Sequence, residues 1–270
     1  MGDACMNINI RKLIYKVPFI YKLCINYVQY MNDRYYERLK LSGRCIDRLN
    51  LKNKYENSRR CFIVGNGPSL TVEDLDKLID EDCFASNLIF KIFDNTKWRP
   101  KFYFIQDRYA RTGNFLNETN IENVFVGNYF WRTRTFSNKN AYCFKTIRVT
   151  GENIDFSYNP VLGVYDSYTI TYTMIQFAVY MGYKEIYLLG IDHNYPYTLD
   201  DEGNIIKNSM EKGHFFLDEN DREVIANIRM MEKGYLKAKE VSEQLEVKIY
   251  NATRGGKLEI FERLDLKDVL

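Results

Sequence analysis

The sequence predicts a doubly wound α/β fold: a mainly parallel, Rossmann-like sheet with an amphipathic helical extension at its N-terminus. Three observations predict it. Short apolar runs alternate with helical stretches, which requires parallel pairing through right-handed crossovers. The runs are continuous rather than alternating, as in strands buried on both faces. Each run stops at a glycine turn or a polar residue, the pattern of strands whose carboxyl ends open on a ligand crevice.

The elements follow in order. Residues 1–58 form a basic region in which Leu13, Val17, Ile20, Cys24, Val28 and Met31 recur at helical spacing among Arg11, Lys12, Lys16, Lys22, Arg34 and Arg38, with a notch at Pro18. That stripe suits packing on the main domain or on a second copy of the chain. It equally suits contact of residues 11–40 with an anionic membrane surface, with Tyr15, Phe19, Tyr21, Tyr27 and Tyr30 at the interface. Residues 59–270 form the main domain. Its strands are Cys61–Val64, Cys83–Ser86, Phe102–Ile105, Val124–Val126, Glu185–Leu189 and Val247–Tyr250. Helices are expected over Val72–Ile79, Thr169–Tyr180 and Arg222–Leu245. Strand-end residues Asn66, Ser69, Asn87, Asp107, Asp192 and Asn251 are then expected around one crevice.

Composition narrows the class. With 270 residues, 46% of them hydrophobic, the chain can bury a full core, so disordered and disulfide-scaffold classes are excluded. The net charge of +2 argues against a nucleic-acid partner. It is unevenly spread, because residues 1–60 hold 13 basic and 5 acidic side chains. Six cysteines without a CxxC pair and two histidines assemble no zinc spacing. No run is long enough to span a bilayer, and no signal sequence is evident, so a cytoplasmic protein with reduced thiols is expected.

The chemistry-bearing residues cluster at the strand ends. Gly65, Asn66, Gly67, Pro68 and Ser69 have the ingredients of a phosphate cradle or of an ordinary strand-to-helix corner, without the third glycine of a dinucleotide fingerprint or the lysine of a Walker loop. His193 and His214 are the only imidazoles and hence the only imidazole candidates for a general base. Tyr195 and Tyr197 carry phenol protons that a departing phosphate could take. Asp107 and Asp192 suit magnesium, a helix cap or a ribose. Arg254 suits an acceptor-side anion or a plain turn.

The segments Cys61–Leu70, Ser86–Asn87, Trp98–Asp107, Gly182–Asp192 and Asn251–Leu258 together resemble a bacterial surface-polysaccharide branch of one superfamily. It contains the Maf-type flagellin glycosyltransferases, the archaeal 6-hydroxymethylpterin diphosphokinases and the small lipooligosaccharide sialyltransferases. The resemblance covers residues 60–270 and implies a CMP-sugar donor, a glycan or lipid-linked acceptor, and no metal cofactor. It implies that Asn66 and Ser69 touch phosphate and ribose, Asn87 the sugar phosphate, and Thr169 to Thr171 the cytidine. Gly190 to Asp192 would line the nucleotide, Tyr195 and Tyr197 would stabilise the leaving phosphate, and His214 would be the base, with His193 as its substitute. Asn194 stands where the sialyltransferases have the first of those tyrosines, and Asp107 where they have asparagine. The second substitution keeps open a magnesium-dependent diphosphokinase with Asp107 and Asp192 as ligands. A catalytically silent nucleotide-binding scaffold is the third reading, and a homo-oligomer is compatible with all three.

Overall fold

A computed structural model describes residues 18–58, 60–107, 110–149, 152–200, 204–208 and 225–270. Its centre is an eight-stranded, all-parallel sheet, flanked by helices on both faces as the sequence predicts. Strands β1 (Cys61–Val64), β2 (Cys83–Ser86), β3 (Phe102–Ile105), β4 (Asn123–Gly127) and β5 (Ala141–Phe144) run outward in sequence. Two short strands follow, β6 (Thr146–Arg148) and β7 (Val164–Asp166), which pair with each other. The chain then returns to the other side of β1 as β8 (Glu185–Leu189). A small three-stranded sheet comes next: β9 (Tyr197–Leu199), β10 (Ile205–Lys207) and β11 (Ile225–Ala226). The main sheet closes with β12 (Lys248–Asn251) and β13 (Glu262–Arg263), giving the order β13-β12-β8-β1-β2-β3-β4-β5. The direction of winding reverses between β1 and β8, and that switch point is where a doubly wound sheet opens a crevice.

Alternate residues of each strand feed opposite cores. Cys61 and Ile63 pack with Phe84, Phe102, Phe104 and Phe125 on one face, and Phe62 and Val64 with Ala85, Tyr103, Ile105 and Val126 on the other. Along the chain the helices are α1 (Pro18–Leu41), α2 (Val72–Asp76), α3 (Phe115–Glu118), α4 (Asn128–Trp131), α5 (Ile170–Met181), α6 (Ile228–Gln244) and α7 (Leu266–Val269). The first face is covered by α5 and α6. α5 starts where Thr169 caps the Thr171 amide and ends at Gly182, whose φ of 99° suits a residue without a Cβ. The expected helix at 72–79 is shorter, ending at Asp76, and the last long helix starts at Ile228; positions 222–224 of that expectation lie outside the described residues.

The described members of the N-terminal stripe are not buried against the domain. Among its described members, Cys24 and Met31 are exposed and Val28 is half-buried. Among the described side chains of α1, the buried ones are Asn32 and Tyr36. Polar anchors set that orientation: Gln29 donates to the Thr146 carbonyl and accepts from the Tyr129 hydroxyl, Asn32 accepts from Arg132, and Asp33 pairs with Lys145. Pro18, expected to notch a longer helix, is the first helical residue described, and the positions before it lie outside the described residues. Beyond α1, Cys45 bridges to Cys143 on the edge strand β5, and Ile46 and Leu51 enter the core.

Candidate functional site

The turns after β1 and β8 are pressed together over the switch point. Gly65 donates to Leu189 and Gly67 to Gly190, both backbone to backbone. A Cβ on Gly65 would lie 2.3 Å from the Gly190 carbonyl oxygen, and one on Gly67 would lie 1.9 Å from a carboxylate oxygen of Asp192. The glycines are therefore required by the approach of one loop to the other.

The same contact fills the expected cradle from within. Asp192, buried, accepts from the Ser69 amide at 3.1 Å and from its hydroxyl at 2.7 Å. Burial raises the Asp192 carboxyl above the usual carboxylate range, while the Ser69 hydrogen bonds and the charge of Arg254 pull the other way. The following helix is closed too: Thr71 and Asp74 form a reciprocal capping box, and Arg254 pairs with Asp74 and donates to the Ser69 carbonyl. Arg254, expected to meet an acceptor-side anion, is thus tied to a carboxylate of its own chain. Asn251 is spent in its own turn, donating to Leu258 and accepting from Thr253, whose hydroxyl in turn accepts from the Ile191 amide.

Beside this closed seam lie polar groups that are not spent. Asn66 donates its amide to the Ser86 carbonyl, which fixes its orientation and leaves its Oδ1 buried without a donor. Just past the next strand, Asn87 sits at a φ of 55° with its Oδ1 in the same condition. Further along the row, Asn128 accepts from the Thr146 amide, but its own amide nitrogen and the Thr146 hydroxyl have no partner. Between the two lies Gln106, which accepts from the Thr173 hydroxyl on α5. Asn87 and Asn66 were legible as strand-end residues. Gln106, Asn128, Thr146 and Thr173 were not named as site residues, although Gln106 and Asn128 stand just past recognisable strands.

On the other side of the seam is an imidazole cluster. His193, at a φ of 51°, has a side chain only 2% exposed, and neither ring nitrogen has a hydrogen-bond partner among the described residues. Its Nε2 lies 3.5 Å from the Glu232 carboxylate on α6, and the rings of Tyr195 and Tyr235 meet it edge-on. Burial lowers its pKa, with Glu232 opposing, so the ring is neutral near pH 7. Burial also pushes the Tyr195 phenol up, keeping its proton on. Thr169 reaches Tyr235 at 3.4 Å, which joins the start of α5 to this cluster. Glu232 and Tyr235 had no signal in the sequence beyond lying on a helix. Asn194 follows His193 half-exposed, and Tyr197 lies on β9 under the Lys207 ammonium. His214 lies outside the described residues.

The magnesium pair expected under the diphosphokinase alternative does not fit. β3 and β8 are separated by three strand spacings, about 14 Å, and both oxygens of Asp192 are taken by Ser69. Asp107, exposed at the end of β3, acts instead on Asp166, whose carboxyl is raised first by burial and further by the Asp107 charge, with Arg148 opposing. Among the described residues no group of three or more His, Cys, Asp or Glu side chains could hold a metal ion.

Comparison with known proteins gives the class. Residues 39–198, more than half of the chain, match the family model described as 6-hydroxymethylpterin diphosphokinase MptE-like, and the chain belongs to that family. The curated proteins yield no match. Among solved structures the chain is similar to the Maf glycosyltransferase from Magnetospirillum magneticum AMB-1, at 15% identity and a TM-score of 0.46 over 77% of this chain and 34% of that one. It therefore spans about a third of the Maf enzyme's length. It is also similar to the sialyltransferase CstII from Campylobacter jejuni, solved with the substrate analogue CMP-3FNeuAc, at 18% identity and a TM-score of 0.41 over 76% of this chain and 86% of that one. The family that the model match returns is one of those that the motifs resemble.

Proposed function

We propose that the chain is a glycosyltransferase that moves a sugar, a nonulosonic or related acid, from a CMP-activated donor to a cell-surface glycan acceptor. The observation that carries this reading is the pair of buried, donorless carboxamide oxygens of Asn66 and Asn87 on adjacent strands beside the switch point. Such oxygens are stabilised by hydroxyl donors, which a ribose and a sugar supply, and they repel phosphate oxygens. The phosphate belongs further along, at the start of α5, where Thr169 and Thr171 lie at the positive end of a twelve-residue helix.

In this reading a base removes the acceptor hydroxyl proton, the oxygen bonds to the anomeric carbon, and the bond from that carbon to the phosphate oxygen breaks, with CMP taking the electron pair. Tyr195, and Tyr197 beside it, donate to the charge that develops on the phosphate. His214 or His193 is the base, and the neutral form that burial imposes on His193 is the one a base requires.

A second reading is favoured by the family match: a diphosphokinase, whose magnesium would need carboxylates near Asp107 and Asp166 rather than at Asp192. A thermal-shift series with CMP and ATP, each with and without magnesium, separates the two. The transferase reading expects CMP to raise Tm equally with and without EDTA. A rise with ATP that requires magnesium, and none with CMP, would replace it with the kinase.

A further inference from the structure

Of the stripe that the sequence offers for packing, the described members Cys24 and Met31 face solvent. On α1, Leu23, Tyr27, Tyr30 and Met31 are 52%, 65%, 54% and 40% exposed, and they stand on one helix face with Arg34, Arg38 and Leu41. The opposite face holds Asn32 and Tyr36, buried against the domain. Arg132, from the end of α4, joins Tyr30, Met31, Arg34, Tyr35 and Arg38 around a shallow groove of about 310 Å³.

Aromatic and aliphatic side chains flanked by guanidiniums are the composition of a helix lying in the headgroup layer of an anionic bilayer. Tyr30 and Arg34 are already joined, phenol to guanidinium, at 3.1 Å, so a phosphate held by Arg34 would carry the tyrosine ring to headgroup depth. The face is not self-complementary. Of the two carboxylates among the described residues of α1, Asp33 is engaged by Lys145 and Gln29, which leaves Glu37 to answer three arginines. Among the described residues no helix is long and apolar enough to cross a membrane.

We infer that this face of α1 seats the protein on an anionic membrane, with lipid phosphates in the groove bounded by Arg34, Arg38 and Arg132. The orientation that results has a consequence for access. Gln29 is fixed at the carboxyl end of β5, by Thr146 and Arg148, while Cys45 beyond the helix pairs with Cys143 within that strand. α1 therefore runs against β5, and its first eleven residues extend about 16 Å past the crevice end of the sheet. Seating Leu23, Tyr27 and Tyr30 in the headgroups lays α1 along the bilayer, so that the crevice opens alongside the surface where a lipid-linked acceptor is presented. The attachment itself stands on α1 alone, and only this last step rests on the transferase reading.

The test is co-sedimentation of the full chain with vesicles of phosphatidylcholine and of an equimolar mixture of phosphatidylcholine and phosphatidylglycerol. The native protein is expected on the mixed vesicles alone and is released by salt. Arg34→Gln with Arg38→Gln is expected to weaken binding about 25-fold, at roughly five-fold for each charge removed. Tyr27→Ser with Met31→Ser should weaken it on the same vesicles. Both pairs are solvent-exposed, so Tm and the CMP-dependent shift should be unchanged, which keeps failure of the attachment distinct from failure of the donor site. Equal binding to both vesicles, or binding that neither pair alters, overturns the proposal. So does a dimer in light scattering that Tyr27→Ser with Met31→Ser dissolves, since that would seat a second copy on the face.

Discussion

The two sides of the β1 strand end treat their polar groups in opposite ways. Toward β8, Ser69 and Asp192 bond to each other, Arg254 pairs with Asp74, the Thr253 hydroxyl accepts from the Ile191 amide, and Gly65 and Gly67 make room for the contact. Toward β2, Asn66 and Asn87 hold buried oxygens that no described residue answers. A seam that satisfies itself holds the fold together, whereas unanswered groups beside it are stabilised by a ligand and cost stability without one. The difference separates what the strand-end motif does for structure from what it does for binding, although its residues are neighbours in sequence.

The most severe way to break the seam is Gly67→Ala. The new methyl would fall on the Asp192 carboxylate, with the Gly190 carbonyl 2.7 Å away, so neither loop can keep its place. A loss of about 4 kcal/mol or more is expected from the urea midpoint, in the range that marks a buried clash. Adding Asp192→Ala should restore part of it, because the carboxylate is the nearer obstacle. A wild-type midpoint for Gly67→Ala would mean the loops are not in contact and that the glycines serve a ligand after all.

The sheet was legible because a parallel strand buried on both faces is a continuous apolar run with a polar end, and Cys61–Val64, Cys83–Ser86, Phe102–Ile105 and Glu185–Leu189 are such runs. Ala141–Phe144 was not, since Tyr142 and the neighbouring asparagines read as loop, and neither were the short β6, β7 and β9 to β11, which are set by pairing partners rather than by pattern. The strand-end residues were legible by position but not by role. That Asp192 would turn back onto Ser69, or that Gln29 and Asn32 would override the apolar stripe in choosing the face of α1, depends on partners more than 90 residues away.

A smaller effect on stability and a larger one on binding are expected where groups are unspent. Asn87→Gly removes the orphaned oxygen at a φ that glycine accepts freely, and Asn66→Ala gives up one hydrogen bond to Ser86 along with its own orphan. Each should move the unfolding free energy by about 1 kcal/mol or less. Each should also abolish most of the Tm rise given by CMP, as the comparison requires of ligand-facing groups. Variants that keep the full CMP shift would make these oxygens a cost of the fold with no function.

The slightest expected effect is one of slope, and it tests the β8 side by proton rather than by ligand. His193 is buried beside Tyr195, Tyr235 and Glu232 with its pKa lowered, so an unfolded chain binds a proton that the native chain refuses. Its contribution to stability is complete above the ordinary histidine value near 6.5, and it fades as pH falls from there through the lowered native value. Asp192 shifts the other way: the native chain holds its proton longer than the unfolded one, so its contribution is complete below the ordinary carboxylate value and fades as pH rises through the raised one. Urea midpoints taken from about pH 4 to pH 7.5 should therefore lose their upper-window slope in His193→Asn, a residue that tolerates the positive φ there, and keep it in Asp192→Asn. If His193→Asn leaves the decline below pH about 6.5 untouched, the imidazole is not held neutral by its surroundings, and His193 loses its standing as a base prepared by burial.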